Sequence, residues 1–241
     1  MFGNSFSEKG KKGALSRWSK VYNLENALIK PNKYNIHYKA RICGYLAGDG
    51  KIFSKKGYNH YAISFYPDDI SIVESYVTAF TKFYKKIPAV KPLHNYFYVN
   101  CNSKAIFHDL TSTTTFGVKK WRAPYKILYN KKAISEWLRG LFDSDGSVNV
   151  SKKTIRLQSI NLTGLKDVKY FLSYLKINSF ISKYNGNENR GVAYELYIPK
   201  YSEVYKFYKI VGFYHKLKKI NLCLYVVIEN KLNIGVVVQL G

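Results

Sequence analysis

Apolar residues recur along this chain with a helical spacing that occurs twice. Two sets of four share the spacing 3, 4, 3 and lie 95 residues apart: Ile70, Val73, Val77 and Phe80, then Leu165, Val168, Leu172 and Leu175. Each set predicts an amphipathic helix with one apolar face. The equal spacing and the constant offset predict that the chain contains a duplicated unit.

Segments with alternating or continuous apolar residues predict strands before and after each of these helices. They cover residues 51–54, 61–66, 90–93 and 96–101 in the first half, and 147–150, 154–160, 179–184 and 193–198 in the second. Further helices are predicted over 103–110 and 201–211. The fold class is therefore α+β, with two αββαββα units, each an antiparallel sheet that carries helices on one face.

Each unit begins with a short segment that ends in Asp-Gly. Residues 42–50 read ICGYLAGDG, and residues 138–146 read LRGLFDSDG. Both are predicted to be helices that end at the glycine, which readily takes the backbone conformation that stops a helix. Small residues four positions apart would let two such helices approach until their backbones touch: Gly44 with Gly48, and Gly140 with Ser144.

The two aspartates of these segments, Asp49 and Asp145, stand at the negative ends of their helix dipoles. That position costs roughly 0.3–1 kcal/mol for each carboxylate. Packing of the two helices against each other would bring the carboxylates side by side. Paired carboxylate oxygens suit Mg²⁺, and we therefore predict a divalent-metal site at this pair.

The charge balance points to a polyanionic partner. The chain has 241 residues, of which 39 are Lys or Arg and 15 are Asp or Glu, so its formal net charge is +24. A hydrophobic content of 46% supplies a core and excludes general disorder. Codon bias accounts for part of the lysine content but not for the shortage of acids. Nucleic acid is thus favoured as the partner, and the apolar run 222–228 is too short to span a membrane.

Three cysteines, Cys43, Cys101 and Cys223, lie far apart and show no spacing typical of zinc or redox sites. The N-terminus lacks the apolar core of a secretory signal. We therefore expect an intracellular protein that is not secreted and works where the DNA is, in the cytoplasm and nucleoid or in an organelle matrix. The basic residues 1–36 are interpreted as an arm that orders on a phosphate backbone, or else as a solvated tail.

The paired segments resemble the motifs of the LAGLIDADG homing endonucleases in their monomeric two-motif form. Residues 138–146 match the consensus at most positions, and the first copy is looser. Both later aspartates, which bind metal in the family, are present as Asp49 and Asp145. The resemblance extends from about residue 37 to about residue 220. The first copy departs from the consensus at three positions: Ile42, Tyr45 and Ala47.

This resemblance implies that the motif helices form the interface between two pseudo-symmetric halves, 37–130 and 131–241, the latter including a C-terminal tail. The two sheets would form a saddle over the DNA. It also implies Mg²⁺-dependent cleavage of both strands across the minor groove, with 3′ overhangs, at a long asymmetric target. The metal site would comprise Asp49 and Asp145 with the preceding Gly48 and Ser144.

The family also places a basic residue near each scissile phosphate, after the last helix of each half. The candidates are Lys119 and Lys120 in the first half, and Lys216, Lys218 and Lys219 in the second; we select Lys120 and Lys218 as catalytic. An ordinary phosphate contact is the alternative for each. Members of the family often carry a water-positioning side chain where this chain has Asp68 and Asn161, but for Asp68 and Asp69 we prefer a helix N-cap role.

Alternation along the strands divides their side chains between two faces. Eight apolar residues are predicted to face the helices: Ile63, Phe65, Phe97, Val99, Ile155, Leu157, Leu196 and Ile198. Nine others are predicted to point outward and bind DNA: Ser64, Tyr66, Tyr98, Asn100, Arg156, Gln158, Lys183, Glu195 and Tyr197. Arg156 can pair bidentately with guanine and Gln158 with adenine, which makes them the leading candidates for base contacts.

Two alternative functions stay open at this stage. Proteins of this family can assist splicing of the intron that encodes them, so an RNA-binding maturase with host intron RNA as a partner is one. A DNA-binding regulator that has kept the fold and lost cleavage is the other. Retention of both Asp49 and Asp145 argues against the regulator, because two carboxylates near phosphates would weaken binding.

Overall fold

The computed structural model describes residues 8–29, 34–55, 60–185 and 192–238. After helix α1 (Glu8–Leu28), the first unit contains α2 (Ile36–Gly48), β1 (Gly50–Lys55), β2 (His60–Phe65), α3 (Ile70–Tyr84), β3 (Ala89–Pro92), β4 (Phe97–Asn102) and α4 (Lys104–Thr113). A 3₁₀ helix (Tyr125–Ile127) precedes the second unit, which contains α5 (Lys131–Asp145), β5 (Gly146–Asn149), β6 (Thr154–Ser159), α6 (Leu162–Tyr174), β7 (Phe180–Asn185), β8 (Val192–Ile198) and α7 (Tyr201–Ile210), followed by α8 (Lys216–Val238). The duplicated αββαββα order is confirmed.

Each unit forms one four-stranded antiparallel sheet. The strand orders are β1-β2-β4-β3 and β5-β6-β8-β7, so the two sheets have the same topology. The apolar residues predicted to face the helices do so: Ile63, Phe65, Val99, Ile155, Leu157, Leu196 and Ile198 are buried, and Phe97 is half-buried against the core.

The motif helices α2 and α5 lie side by side at the centre of the molecule, with glycines at their closest approach. A Cβ atom on Gly44 would lie 2.2 Å from the carbonyl oxygen of Trp137, and one on Gly140 would lie 2.6 Å from that of Arg41. No side chain fits in such a gap, so the predicted contact between the two backbones is confirmed. Large side chains on either side of it, such as Tyr45 and Trp137, are fully buried.

Within the basic segment interpreted as an arm or a tail, Glu8–Leu28 forms helix α1. Tyr22 packs edge-on against His108 of α4, with ring centroids 6.5 Å apart, and the Lys104 ammonium lies 5.1 Å from the centre of the Tyr22 ring. These contacts, together with helix-favouring Ala, Leu, Lys and Glu residues, give the segment a fixed conformation. The remaining parts of the predicted arm, residues 1–7 and 30–33, lie outside the described residues.

The C-terminal stretch packs against the second half, as predicted, and does so as helix α8. Leu222, Tyr225 and Val226 are buried on the side of α8 that contacts α7 and β5. Among the helices that the structure describes, none is both long and apolar enough to cross a membrane.

Candidate active site

The two motif aspartates are brought together at one end of the helix pair. Asp49 is the C-terminal cap of α2, and its backbone N–H donates to the Tyr45 carbonyl at 3.1 Å. Asp145 is the last residue of α5. A Cβ on Gly48 would lie 2.4 Å from the Ser144 Cβ and 3.3 Å from the Asp145 carboxyl carbon. Glycine at position 48 therefore allows the second carboxylate to reach the first.

The pKa values of both aspartates are raised, first by desolvation. Loss of water contacts to the surrounding protein raises the pKa of Asp145 to about 7 even though the residue is partly exposed, the neighbouring Asp49 carboxylate raises it further, and Lys218 lowers it. Burial also raises the pKa of Asp49, where Lys218 and a hydrogen bond from Ser144 act in the opposite direction and Asp68 adds to the increase. Two carboxylates that resist joint ionisation favour a bound cation between them.

The donors present fit a divalent metal of the Mg²⁺ type. Within the described ranges, no three His, Cys, Asp or Glu side chains are grouped to enclose an ion. Two carboxylates alone are sufficient for Mg²⁺, which keeps several waters and takes its other ligands from substrate phosphates. The Ser144 carbonyl already accepts a hydrogen bond from the Lys218 ammonium at 2.9 Å. Gly48 and Ser144 shape this site, and their role as ligands stays a prediction.

The raised pKa of Asp145 leads to an expected pH dependence of metal binding. Metal requires the ionised carboxylate, so protons compete with it below about pH 7. Mg²⁺ or Mn²⁺ affinity should therefore fall with decreasing pH and approach a tenfold loss per pH unit, as measured by calorimetric titration at about pH 6 and about pH 8. Asp145→Asn should remove most of this dependence. Equal affinity of the wild-type protein at both pH values would contradict the assignment.

Lys218, on the first turn of α8, reaches the end of the motif helix in the second half. Its ammonium donates to the backbone carbonyls of Phe142, Asp143 and Ser144, the first at 3.3 Å and the last at 2.9 Å. It thus compensates the negative end of the α5 dipole beside the paired carboxylates. Burial lowers the pKa of Lys218, although the surrounding acids, Asp143 first, oppose this.

Asp143, the earlier acid of the second motif, anchors the segment that leads to Lys218. It is fully buried, and its carboxylate accepts the backbone N–H groups of Tyr214 and His215 at 2.9 and 3.0 Å. The Tyr45 hydroxyl donates to it at 3.1 Å. Burial raises the pKa of Asp143 to about 6. The first motif has Ala47 at this position, so the two halves differ here.

The structure places the two selected lysines differently. Lys120 is exposed in a turn, where its backbone N–H donates to the Gly117 carbonyl at 2.8 Å. The charged residues that act on the pKa values of Asp49 and Asp145 include Lys218 but not Lys120. In the described part of the chain, Lys218 is therefore the selected lysine that the fold brings to the paired carboxylates.

Asp68 and His215 lie beside the site. Asp69 is the N-cap of α3 and accepts from the Ser71 N–H at 2.8 Å, whereas the exposed Asp68 lies 3.6 Å from His215 Nε2. His215 comes from the other half of the chain, and no local pattern indicates it. Its pKa is lowered, first by burial and then by Lys218. Asn161 is buried as the N-cap of α6, which gives it a structural role.

A buried polar network also joins the two halves, and no sequence pattern indicates it. Arg41 of α2 donates to Glu136 of α5 at 2.6 Å, to Ser75 at 3.2 Å and to the Tyr214 hydroxyl at 2.8 Å. Arg139 also donates to Glu136, at 2.6 Å. Arg41 and Glu136 are about nine-tenths buried, so each charge depends on its partner. The network includes Tyr214, whose backbone N–H donates to Asp143.

On the first sheet, the predicted outward residues share one face. Ser64 pairs with Asn100 across β2 and β4, and its hydroxyl donates to the Asn100 side chain at 3.1 Å. Ser64 is buried beneath its neighbours, whereas Tyr66 and Tyr98 present rings 5.5 Å apart. The register also places Lys51 opposite Ser64 on this face. Extending the alternation through the β1–β2 hairpin would have found Lys51.

On the second sheet, four of the five predicted residues point outward and one does not. Arg156 lies opposite Tyr197, and Gln158 lies opposite Glu195. Lys183 pairs with Tyr194, on the other face of the sheet, so its predicted orientation is wrong. The residue of β7 that shares the face of Glu195 is Ser182.

Two motif helices in backbone contact, a matching sheet in each half and paired aspartates at the helix ends define a LAGLIDADG fold with two motifs. In agreement, residues 132–212 match the LAGLIDADG-like domain family. A structure of mesophilic variants of the homing endonuclease I-DmoI matches with a TM-score of 0.58 and 16% identity, over 73% of this chain and 96% of its own length. The structure of I-DmoI in complex with DNA and Ca matches with a TM-score of 0.56 and 16% identity, over 74% of this chain and 91% of its own length. The resemblance found in the motifs is confirmed.

The same fold occurs in a protein that is not named as a nuclease. Full-length DUF199/WhiA from Thermatoga maritima matches with a TM-score of 0.53 and 14% identity, over 91% of this chain and 72% of its own length. These identities establish the fold alone. The activity must therefore be argued from the residues of the site.

Proposed function

We propose that this protein is a site-specific double-strand DNA endonuclease that uses Mg²⁺, cuts both strands of a long asymmetric target and leaves 3′ overhangs. The observation that carries the proposal is the pair Asp49 and Asp145, held together at the junction of two matching sheets in a chain of net charge +24. I-DmoI structures with DNA and Ca, with DNA and Mn, and with target DNA and Mg support it, because the same fold there accommodates DNA and divalent cations.

In this proposal Asp49 and Asp145 hold the divalent metal. When bound, the metal would supply a Lewis acid for the phosphate and lower the pKa of a bound water. The two aspartates come from different halves, so each half contributes one carboxylate to a site that serves both strands.

Lys218 is proposed to act through its charge. An ammonium has three N–H donors, and the three carbonyls at the end of α5 accept from Lys218. Because these carbonyls occupy its N–H donors, Lys218 would stabilise negative charge on a nearby phosphate through its positive charge, without transferring a proton. Lys120 is proposed to have the matching role in the first half. Because it is exposed in its turn, it would reach the phosphate backbone directly.

The DNA is proposed to lie across the outward faces of the two sheets, bound by a single copy of the chain. Tyr66, Tyr98 and Asn100 would contact it from the first sheet, over Ser64. Arg156, Gln158 and Tyr197 would contact it from the second sheet, where Glu195 lies opposite Gln158. The exposed Arg17 and Lys20 of α1 add positive charge beside α4. A protein with this partner would be located with the DNA.

A test of the proposal uses the DNA sequence that flanks the gene, joined without the insertion, in a supercoiled plasmid. The purified protein with Mg²⁺ should convert this plasmid to the linear form, and sequencing of the ends should show short 3′ overhangs. A plasmid with the junction scrambled is the control. Specific binding without cleavage would instead support the alternative of a DNA-binding regulator with the same fold. Absence of specific binding would contradict both functions.

Binding to any duplex should depend steeply on salt. Each phosphate that a basic residue neutralises contributes about −0.9 to the slope of log affinity against log salt concentration. With 39 basic residues and a duplex across two sheets, we expect a slope of about −5 or steeper, from fluorescence anisotropy without divalent metal. A slope near zero would count against a DNA duplex on the outward faces.

A further inference from the structure

One acidic residue stands on the outward face of the second sheet. Glu195 lies on β8 opposite Gln158 of β6, in a chain with few acids and a proposed DNA partner. Its side chain is 13% exposed, less than the 25% of the adjacent Arg156. A carboxylate at this position repels DNA phosphates, and another interaction of Glu195 must offset this repulsion.

The contacts of Glu195 supply that interaction. Its Oε1 atom accepts from Arg156 Nη1 at 3.2 Å and from Gln158 Nε2 at 3.2 Å. Arg156 Nε in turn donates to Thr154 Oγ1 at 3.1 Å. One carboxylate oxygen thus holds two long side chains, which are two residues apart on the same strand and would otherwise sample many rotamers.

The groups that remain unused are those that recognise bases. Arg156 keeps one N–H on Nη1 and both on Nη2, a pair of donors that fits guanine O6 and N7. Gln158 keeps its carbonyl oxygen and its second N–H, which fit adenine N6 and N7. Residues i and i+2 of a strand lie about 6.6 Å apart, close to two base-pair steps of about 3.4 Å.

We propose that Glu195 determines the sequence specificity of the second half, by holding Arg156 and Gln158 in orientations that select a guanine and an adenine about two base pairs apart. This inference rests on the proposed function only in requiring that the second sheet faces DNA. Glu195 itself contacts no base in this arrangement and is a positioning residue. It lowers the affinity for DNA of any sequence and raises discrimination.

The first sheet lacks such an arrangement among its described outward residues. There Ser64 takes the position of Arg156, and Tyr66 and Tyr98 take those of Gln158 and Glu195, so none of the three carries a charged side chain of the Arg or Glu type. The rings of Tyr66 and Tyr98 provide aromatic surface, which packs against many sequences. The second half should therefore contribute the sharper base preferences of the target.

To test this inference, the full-length protein selects bound duplexes from a randomised library in EDTA, which prevents cleavage. Its affinity is then measured for single-base variants of the selected site. The wild-type protein should select a site with a guanine and an adenine about two base pairs apart. In Glu195→Ala, discrimination at both positions should fall about tenfold or more, while affinity for random duplex stays equal or rises. A purely structural role for Glu195 would lower both together.

Three further variants make the result specific. Arg156→Ala should lose the guanine preference alone, and Gln158→Ala the adenine preference alone. Glu74→Ala removes one exposed acid from α3, away from the outward faces, and should leave both preferences unchanged. If Glu195→Ala does not fold, Glu195→Gln, which keeps an oxygen acceptor but loses the charge, should show a smaller loss at the same two positions.

The outcomes separate this inference from the proposed function. No selected site for the wild-type protein would contradict site-specific recognition as a whole. A selected site whose guanine and adenine preferences survive in Glu195→Ala, or one that lacks these bases in the half bound by the second sheet, would overturn the role of Glu195 and leave the nuclease proposal standing.

Discussion

Asp145→Asn and Asp49→Asn are each expected to abolish double-strand cleavage while leaving DNA binding nearly intact. Amide oxygens in place of either carboxylate lower the negative charge that attracts the metal between the two helix ends. The rate of cleavage should fall by about 10³-fold or more, as expected when a principal electrostatic element of a site is removed. Affinity should stay within about threefold or increase, because one acid near phosphates has been lost.

The measurement combines single-turnover cleavage of the plasmid site in Mg²⁺ with binding of the same site by gel shift in EDTA. Asp69→Asn is the matched control, since it removes an acid near the site and Asn is an equally good N-cap for α3. It should retain cleavage. Double-strand cleavage by Asp49→Asn or Asp145→Asn at the wild-type rate would refute the assignment of the metal site.

Gly44→Ala should destabilise the whole protein. Its new methyl group would lie 2.2 Å from the Trp137 carbonyl oxygen and 2.9 Å from the Leu141 nitrogen, and both are backbone atoms that cannot turn aside. The motif helices would have to separate, which loosens the packing of the large buried side chains on either side. We expect a loss of about 3 kcal/mol or more in the free energy of unfolding, at the upper end for overpacked cores.

Calorimetry or thermal unfolding followed by circular dichroism would measure this loss, as a decrease in Tm of roughly 6–12 °C for a chain of this size. Gly13→Ala is the matched control. A Cβ at Gly13 in α1 would meet no atom within 4 Å, so the substitution should be neutral or slightly stabilising. Equal Tm values for the two variants would show that the close contact at Gly44 is not needed for stability.

The parts of the fold that were predictable from the sequence are the helices and strands that local periodicity indicates. The 3, 4, 3 apolar spacing and the alternation along the strands repeat at a constant offset, and so they predict both units and their order. The pairing of Asp49 with Asp145 also follows, because small residues at fixed spacing dictate that the two helices meet. Lys183 was assigned to the wrong face: residues two apart on a strand share a face, and Ile181, two residues earlier on β7, packs against the core.

The rest of the site depends on contacts between distant parts of the chain. Lys218 reaches the carbonyls at the end of α5 because Asp143 holds the segment before α8, and no spacing rule links these residues. His215 approaches Asp68 from the other half in the same way. The basic α1 segment has a composition shared by helices and solvated tails, so only its packing against α4 distinguishes them.

The buried pair Arg41 and Glu136 makes each half an obligate partner of the other. The motifs align Arg41 with Trp137 and Glu136 with Ala40, so the opposite charges occupy positions that are not equivalent in the two halves. Two copies of the second half would leave Glu136 with Arg139 alone, and two copies of the first would bury Arg41 without its acid. Breaking such a pair costs about 3–5 kcal/mol. The helix interface thus favours pairing of the two different halves over pairing of either half with a copy of itself.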